Sequence, residues 1–357
     1  MATSTTGSAP EPRRPPTMED VAAAAGVSRA LVSLVMRGES NVSEKRRAAV
    51  LAAAKELGYR PNAAARSLAE QRSNTIGVVL DDLHNVFFAD VVDGIHDVAD
   101  AACYRLLLNT AWRKKADERQ AIEAFLEYRV DAIIVLGART SPEIIAGADA
   151  EVPVVSISVV VDGVDSVVND DQRGAELVVN HLVSLGHTDI VHVDGGDGGG
   201  AELRRAGFVA AIERHGLEPR VIGGDYSEQA GVDAIELLLA ARAMPTAIFA
   251  ANDVMAVTAL DRLQDADLRV PEDVNVVGYD NTSMAALRHI SLTTVNQPRV
   301  DMGRRAAERV IERLEDRRLE PLTHVVEPEL IVRSTSGPAP AVRLAAAAER
   351  HPRGNHP

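Results

Sequence analysis

From about residue 75 onward, short unbroken apolar runs alternate with longer segments in which apolar residues recur every three or four positions. The runs are TIGVVL, YRLLLNT, DAIIVLG, PVVSISVV, DIVHVDG, TAIFAA and DVNVVGY. A strand with no polar alternation is covered on both faces. Such strands, separated by helix-length segments, predict parallel sheets with helices on either side. The rhythm falls into two halves, about 75–170 and 171–292, which reads as a faint internal repeat. VNQPRVDMGRRAAERVIERL then predicts a long helix and HVVEPELIVR a late strand pair.

Before residue 60 the pattern differs. Thr17, with Asp20 three positions on, predicts an N-cap and its acidic partner for a helix from about Met18 to Ala25, ended by Gly26. Ser28 caps a second helix. Val27, Val32, Val35 and Met36 point one way from it, and Arg29, Ala30, Ser33 and Leu34 another. Ser43 caps a third, to about Leu57, with Val50, Leu51, Ala54 and Leu57 as its apolar stripe. A tight turn at Gly26 among small residues predicts a helix-turn-helix over 17–60. Pro61 disfavours helix at Arg60, and Asn62 caps a further short helix to about Ala69 within a linker of residues 61–74. So short a helix is marginal in water and needs a partner to form.

Composition sharpens this picture. The 357 residues suit two or three domains, and with 46% hydrophobic but 3% aromatic residues the core is built from Ala, Val, Leu and Ile. Cys103 is the single cysteine, so no intrachain disulfide forms, as suits a reducing compartment. No apolar run reaches the roughly 18 residues of a membrane span, and the polar, proline-rich residues 1–16 read as a disordered leader and not a signal peptide, which predicts a cytoplasmic protein. Residues 1–75 carry 11 Lys and Arg against 7 Asp and Glu, a net of +4. The whole chain is −14, which leaves −18 for the remainder. A basic head on an acidic body suits a nucleic-acid contact confined to one end.

The run TMEDVAAAAGVS, the later NVSEKRRAAVLAAAKELGYRPNAAARSLA and the strand pattern that follows resemble LacI/GalR-family transcription regulators, from about residue 17 to 333. The resemblance implies an N-terminal three-helix DNA-binding domain, a hinge helix and two Rossmann-like lobes of the periplasmic-binding-protein type, α + α/β overall. Its second helix would lie in the major groove, with Arg29, Ala30 and Leu34 reading bases. Arg suits the paired acceptors of guanine, whereas Leu34 meets only a thymine methyl or excludes water. Asn41 would reach a base edge from the loop. Ser28, Ser33, Ser43, Lys45 and Arg46 would hold phosphates. In the hinge, Leu68 matches the residue driven into the minor groove, with Ala65 beside it.

For the body, residues 75–333, the resemblance implies lobe one at about 75–170 and 294–322 and lobe two at about 171–293 and 323–333. Ligands in such sheets lie beyond the carboxyl ends of the strands, hence in the cleft between lobes. Phe87 and Phe88 would form an apolar wall there. Arg204, three residues before Gly207-Phe208, matches the family's ligand arginine, whose fork suits paired hydroxyls or a carboxylate. Asn252, Asp253 and Asp280 match polar positions that face the ligand or support the loops that do. Tyr226 fits a stacking position, and Ser158 and Gln297 also fall on the cleft. The implied effector is a small sugar or derivative.

Other chemistry is weakly represented. GGDGGG lacks the signatures of phosphate-binding loops and reads as a flexible lobe loop. His181, His187 and His192 have no carboxylate or cysteine at ligand spacing, so no metal is expected, nor any cofactor or catalytic residue. A transporter's solute-binding protein and a nucleotide-using enzyme are the competing readings, disfavoured by the added head and by the absent phosphate motifs. The tail, 334–357, is low in complexity. Without leucine heptads for a tetramer, a homodimer on a near-palindromic double-stranded operator is the expectation.

Overall fold

The computed structural model describes residues 14–39, 41–60, 72–111, 114–316 and 320–340. The chain divides into two compact units at Ser73/Asn74. The first unit holds helices α1 (Met18–Ala25), α2 (Arg29–Met36) and α3 (Glu44–Leu57). Thr17 Oγ1 accepts the Asp20 amide while the Asp20 carboxylate takes the Thr17 amide at 2.8 Å, a complete capping box. Gly26 closes α1 in the left-handed region, at φ 63°, where any Cβ would be strained. Val21, Ala22, Val32, Val35, Val42, Val50, Ala53 and Ala54 form the core, which is closed by small residues. The stripe of α3 differs from the sequence reading. Ala53 replaces Leu51 and Leu57, which are 50% and 40% exposed. Leu51 lies about 100° round the helix from Val50, and Leu57 is its last residue, beyond so small a core.

The second unit contains two six-stranded sheets of one design. The first orders as β11-β5-β4-β3-β1-β2 and the second as β12-β10-β9-β8-β6-β7, parallel throughout except where β12 meets β10. The strands are β1 (Thr75–Leu80), β2 (Arg105–Thr110), β3 (Ala132–Leu136), β4 (Val154–Ile157), β5 (Asp165–Asn169) and β6 (Ile190–Val193). Then come β7 (Arg220–Ile222), β8 (Ala247–Ala250), β9 (Asn275–Asp280), β10 (Thr293–Asn296), β11 (Thr323–Val326) and β12 (Glu329–Ile331). Helices α4 (Val86–Ala101), α5 (Lys115–Glu127) and α6 (Pro142–Glu151) serve the first sheet. Helices α7 (Asp171–Ser184), α8 (Ala201–Arg214), α9 (Glu228–Ala240) and α10 (Asp253–Asp265) serve the second, and α11 (Arg299–Glu315) returns to the first. Buried β-branched strands beneath amphipathic helices form a core on each face of each sheet. The backbones of α4 and α11 touch. A Cβ on Gly94 would collide with the Val300 carbonyl, and one on Gly303 with the Val91 carbonyl.

The lobe boundaries need correction. β10, residues 293–296, pairs with β9 and belongs to lobe two, while β11, 323–326, pairs with β5 and belongs to lobe one. Only β12 joins lobe two, so the late strand pair HVVEPELIVR is split between the two sheets. Among the described residues the chain therefore passes between lobes three times, at 169–171, 296–299 and 326–329. Nor does the tail begin at 334. Thr335 and Ala339 are buried, the Gly337 amide donates to Asn275 Oδ1, and His187 Nε2 bonds the Gly337 carbonyl at 3.0 Å. The hinge residues 61–71, with Ala65 and Leu68, lie outside the described residues, as do 341–357.

Candidate functional site

The parallel strands of both sheets end toward one chamber between the lobes. Asp81 and Gly137 follow β1 and β3, and Asn85 caps α4 ahead of Phe87 and Phe88. Ser158 follows β4 with φ at 70°. From the other lobe come Asp171, Gly199, Arg204, Tyr226, Asn252 and Asp280, with Gln297 from the crossover. Thus Phe87, Phe88, Ser158, Arg204, Tyr226, Asn252, Asp280 and Gln297 all line one cavity. A second, more open hollow shares Asn85 and Tyr226 and adds Asp82, His84, Glu228 and Gln229.

Arg204 is held from within the chain. Its Nε and Nη2 donate to Asp171 Oδ1 at 3.2 and 2.7 Å, and Nη1 donates to the Ala251 carbonyl. The Tyr279 ring lies 3.5 Å beneath the guanidinium, a cation–π contact. Burial pulls its pKa down, but Tyr226, Asp171, Tyr279 and Asp280 outweigh that, and the group stays charged. The fork that suits a ligand carboxylate is thus already occupied by the carboxylate of Asp171. What remains for a ligand is the second N–H on each terminal nitrogen, suited to hydroxyl oxygens.

Asp280 is the unusual acid. Burial, then the charge of Asp253, pushes its carboxyl up to about 8, against the opposing pull of Arg204, Arg299 and a 2.7 Å bond from Gln297 Nε2. Burial likewise pushes Asp253 up to about 6, although three donors from Thr282 and Thr294 hold it down. Because the folded value of Asp280 lies above the ordinary 3.8, the native state keeps a proton that the unfolded chain has released. Its stabilising contribution is present at low pH and is lost as pH rises through about 8. The urea midpoint of the protein should therefore fall from about pH 6 to about pH 9, and Asp280→Asn should flatten that fall. Equal pH slopes in the two proteins would contradict the buried, protonated acid.

The other residues divide by role. Asn252 caps α10, accepting from the Met255 amide at 2.8 Å and donating to the Tyr226 carbonyl at 3.1 Å, so its amide chiefly shapes the wall. Asp253 supports loops through Thr282 and Thr294 and does not line the chamber. Phe87 and Phe88 pack edge to face at 5.4 Å and serve both wall and core. Ser158 Oγ is buried without a hydrogen-bond partner, a donor available to a ligand. Sequence reasoning missed Asp171 and Asp81. Each is an acid just past a strand end, and a lone Asp in the first turn of a helix signals no more than dipole compensation. Among the described residues no group of three His, Cys, Asp or Glu side chains is placed to hold a metal ion. His192 packs on Phe249 at 4.6 Å, and burial lowers its pKa to about 4.

In the first unit, Ser28 caps α2, taking the Leu31 amide at 3.3 Å. Beside it Arg29 and Ala30 are exposed, as are Asn41, Ser43, Lys45 and Arg46. Arg29 rests on Glu19 at 2.9 Å, both side chains largely exposed. Ser33 is half-buried. Leu34 is also half-buried and packs against the three-helix core, so it presents only part of its side chain outward.

Residues 17–62 match the model of bacterial regulatory proteins of the lacI family, and residues 179–336 match a periplasmic binding protein-like domain. The chain is 34% identical over 295 residues to catabolite control protein A of Priestia megaterium, covering 80% of this chain and 89% of that one. It is 33% identical over 331 residues to the HTH-type transcriptional repressor PurR of Vibrio campbellii, covering 89% and 98%. Among solved structures, the lac repressor dimer bound to operator and the anti-inducer ONPF superposes with a TM-score of 0.81 at 30% identity, covering 91% of this chain and all of that one. The transcriptional regulator CelR in complex with cellobiose gives 0.68 at 32% identity, over 90% and 100%. PurR, the lac repressor and CelR are repressors or regulators of transcription, and among the described residues no helix is long and apolar enough to cross a membrane. A helix-turn-helix head joined to a two-lobed body with one polar chamber, and similarity over nearly the full length of such proteins, lead to one conclusion: the chain belongs to the lacI family of bacterial regulatory proteins.

Proposed function

We propose that the chain is a cytoplasmic, non-enzymatic repressor of carbohydrate-uptake or catabolic genes, and that an uncharged sugar bound between its lobes changes its affinity for an operator. As a homodimer it would set two α2 helices on half-sites about one DNA turn apart. Arg29, Ala30, Leu34 and Asn41 would meet bases. Ser28, Ser33, Ser43, Lys45 and Arg46 would meet phosphates, and Ala65 and Leu68 the minor groove between the half-sites. A ligand that favours one lobe arrangement shifts the dimer's DNA-binding geometry by its differential affinity, and DNA acts reciprocally on the ligand.

The observation that carries the ligand class is the charge of the chamber. Each charge at its wall is already compensated: Asp171 pairs with Arg204, Asp81 with Arg139, and Asp280 keeps its proton. A phosphate or carboxylate would find no uncompensated cation there, whereas hydroxyls find donors in Arg204 and Ser158 and acceptors in the carboxyl oxygens of Asp171 and Asp280. In a thermal-shift screen, neutral pentoses, hexoses and disaccharides are compared with their phosphates and uronic acids. A neutral compound at 100 times its Kd contributes about 2.7 kcal/mol, a shift of ~5 °C, with the phosphates and acids silent. A shift given only by the charged compounds would overturn the sugar reading.

A further inference from the structure

The glycine run reads from sequence as a loose loop, yet it is pressed against lobe one. Arg139 follows β3, and its own amide and that of Thr140 donate to Glu118 at 2.8 and 3.1 Å, which pins its backbone. Its guanidinium is 4% exposed. Nε donates to both oxygens of Asp81 at 2.9 Å, within lobe one. Nη1 crosses the cleft to Asp197 Oδ1 at 2.5 Å, in the middle of the glycine run of lobe two. The glycines permit this approach. A Cβ on Gly198 would collide with the Tyr226 ring at 2.5 Å and come within 3.0 Å of Arg139 Nη2, and one on Gly199 would lie 3.2 Å from Val159 and 3.3 Å from the Gly137 Cα, both across the cleft. Gly199 lines the ligand chamber, and its carbonyl accepts the Tyr226 hydroxyl at 3.2 Å.

We infer that the Arg139–Asp197 pair is a bolt that holds this glycine tongue shut on lobe one and thereby positions Gly199 and Tyr226 over the chamber. The two carboxylates on Arg139 differ in kind. Asp81 is 7% exposed and holds the guanidinium through both oxygens, whereas Asp197 is 63% exposed and its bond is open to water and salt. Among the described residues Nη2 is buried with no acceptor, so the guanidinium is not fully satisfied in the closed arrangement. The bolt is therefore strong enough to bias the lobes and weak enough to open for exchange of ligand. Arg139 and Asp197 are positioning residues, acting on the chamber through the tongue.

The inference goes beyond the sugar reading, and its test uses no ligand, so the two fail separately. Amide hydrogen exchange is measured on the full chain and on Asp197→Ala, which leaves the buried Asp81–Arg139 pair intact. Loss of the bolt should speed exchange about threefold to tenfold, both in the tongue, 195–200, and in the facing lip of lobe one, 137–140 and 158–161, with the β4 amides as an unchanged control. Raising NaCl from 0.05 to 0.5 M should move the wild type toward the variant and leave the variant unmoved. Faster exchange confined to the tongue, no change at all, or equal salt sensitivity in both proteins would overturn the bolt.

Discussion

Replacing Asp171 with alanine should cost the protein about 3–5 kcal/mol, read as a drop in the urea midpoint. Asp171 and Arg204 are each 4% exposed, and Asp171 supplies two of the three hydrogen bonds on the guanidinium. Without it a permanent cation is left in the interior with the Ala251 carbonyl and the Tyr279 ring, and no counter-ion in contact. Arginine does not escape such a position by losing its proton. Adding Arg204→Met should therefore recover much of the loss, because the double variant buries no unpaired charge. Recovery distinguishes a charge effect from a packing effect. If Asp171→Ala costs less than about 1 kcal/mol, water reaches Arg204 and the neutralised-cation argument for an uncharged ligand falls with it.

Arg29→Ala should weaken specific operator binding by about tenfold to a hundredfold, the value of one guanidinium forked on a guanine. Arg29 stands at the first position of α2, exposed, and its pair with Glu19 is largely solvated, so releasing it for a base costs little. Lys45→Ala and Arg46→Ala should behave differently. Each weakens specific and non-specific DNA alike and reduces the salt slope by about 1. Fluorescence anisotropy with the gene's own upstream DNA and a scrambled competitor separates the two behaviours. An Arg29→Ala loss that is equal on both DNAs would move Arg29 from base reading to backbone contact.

Much of this molecule is legible from sequence because its local chemistry is strict. Thr17 and Asp20, Ser28 and Gly26 mark helix ends that the structure reproduces, and seven apolar runs mark strands. What escapes is set by approach in space. HVVEPELIVR looks like one strand pair, yet Pro328 separates strands that join different sheets, and only the third crossover between lobes explains this. Residues 334–340 look featureless, but Asn275 and His187 bind their backbone. Arg139, Asp81 and Glu118 carry no motif, and their meaning appears only when β1, β3 and α5 are brought together. The glycine run is recognisable by composition, but the reasons for its small residues are spatial: Tyr226, Gly224 and Asp171 crowd it within lobe two, and Arg139, Gly137 and Val159 approach it across the cleft.

The decisive measurement is a titration of the upstream DNA by the full chain, with and without the neutral sugar that stabilises it most. If the cleft regulates the head, the operator Kd changes at least about fivefold on adding saturating sugar, in either direction, and the sugar's own Kd changes by the same factor when operator is present. A sugar that binds the chamber and leaves the operator Kd unchanged would contradict the account.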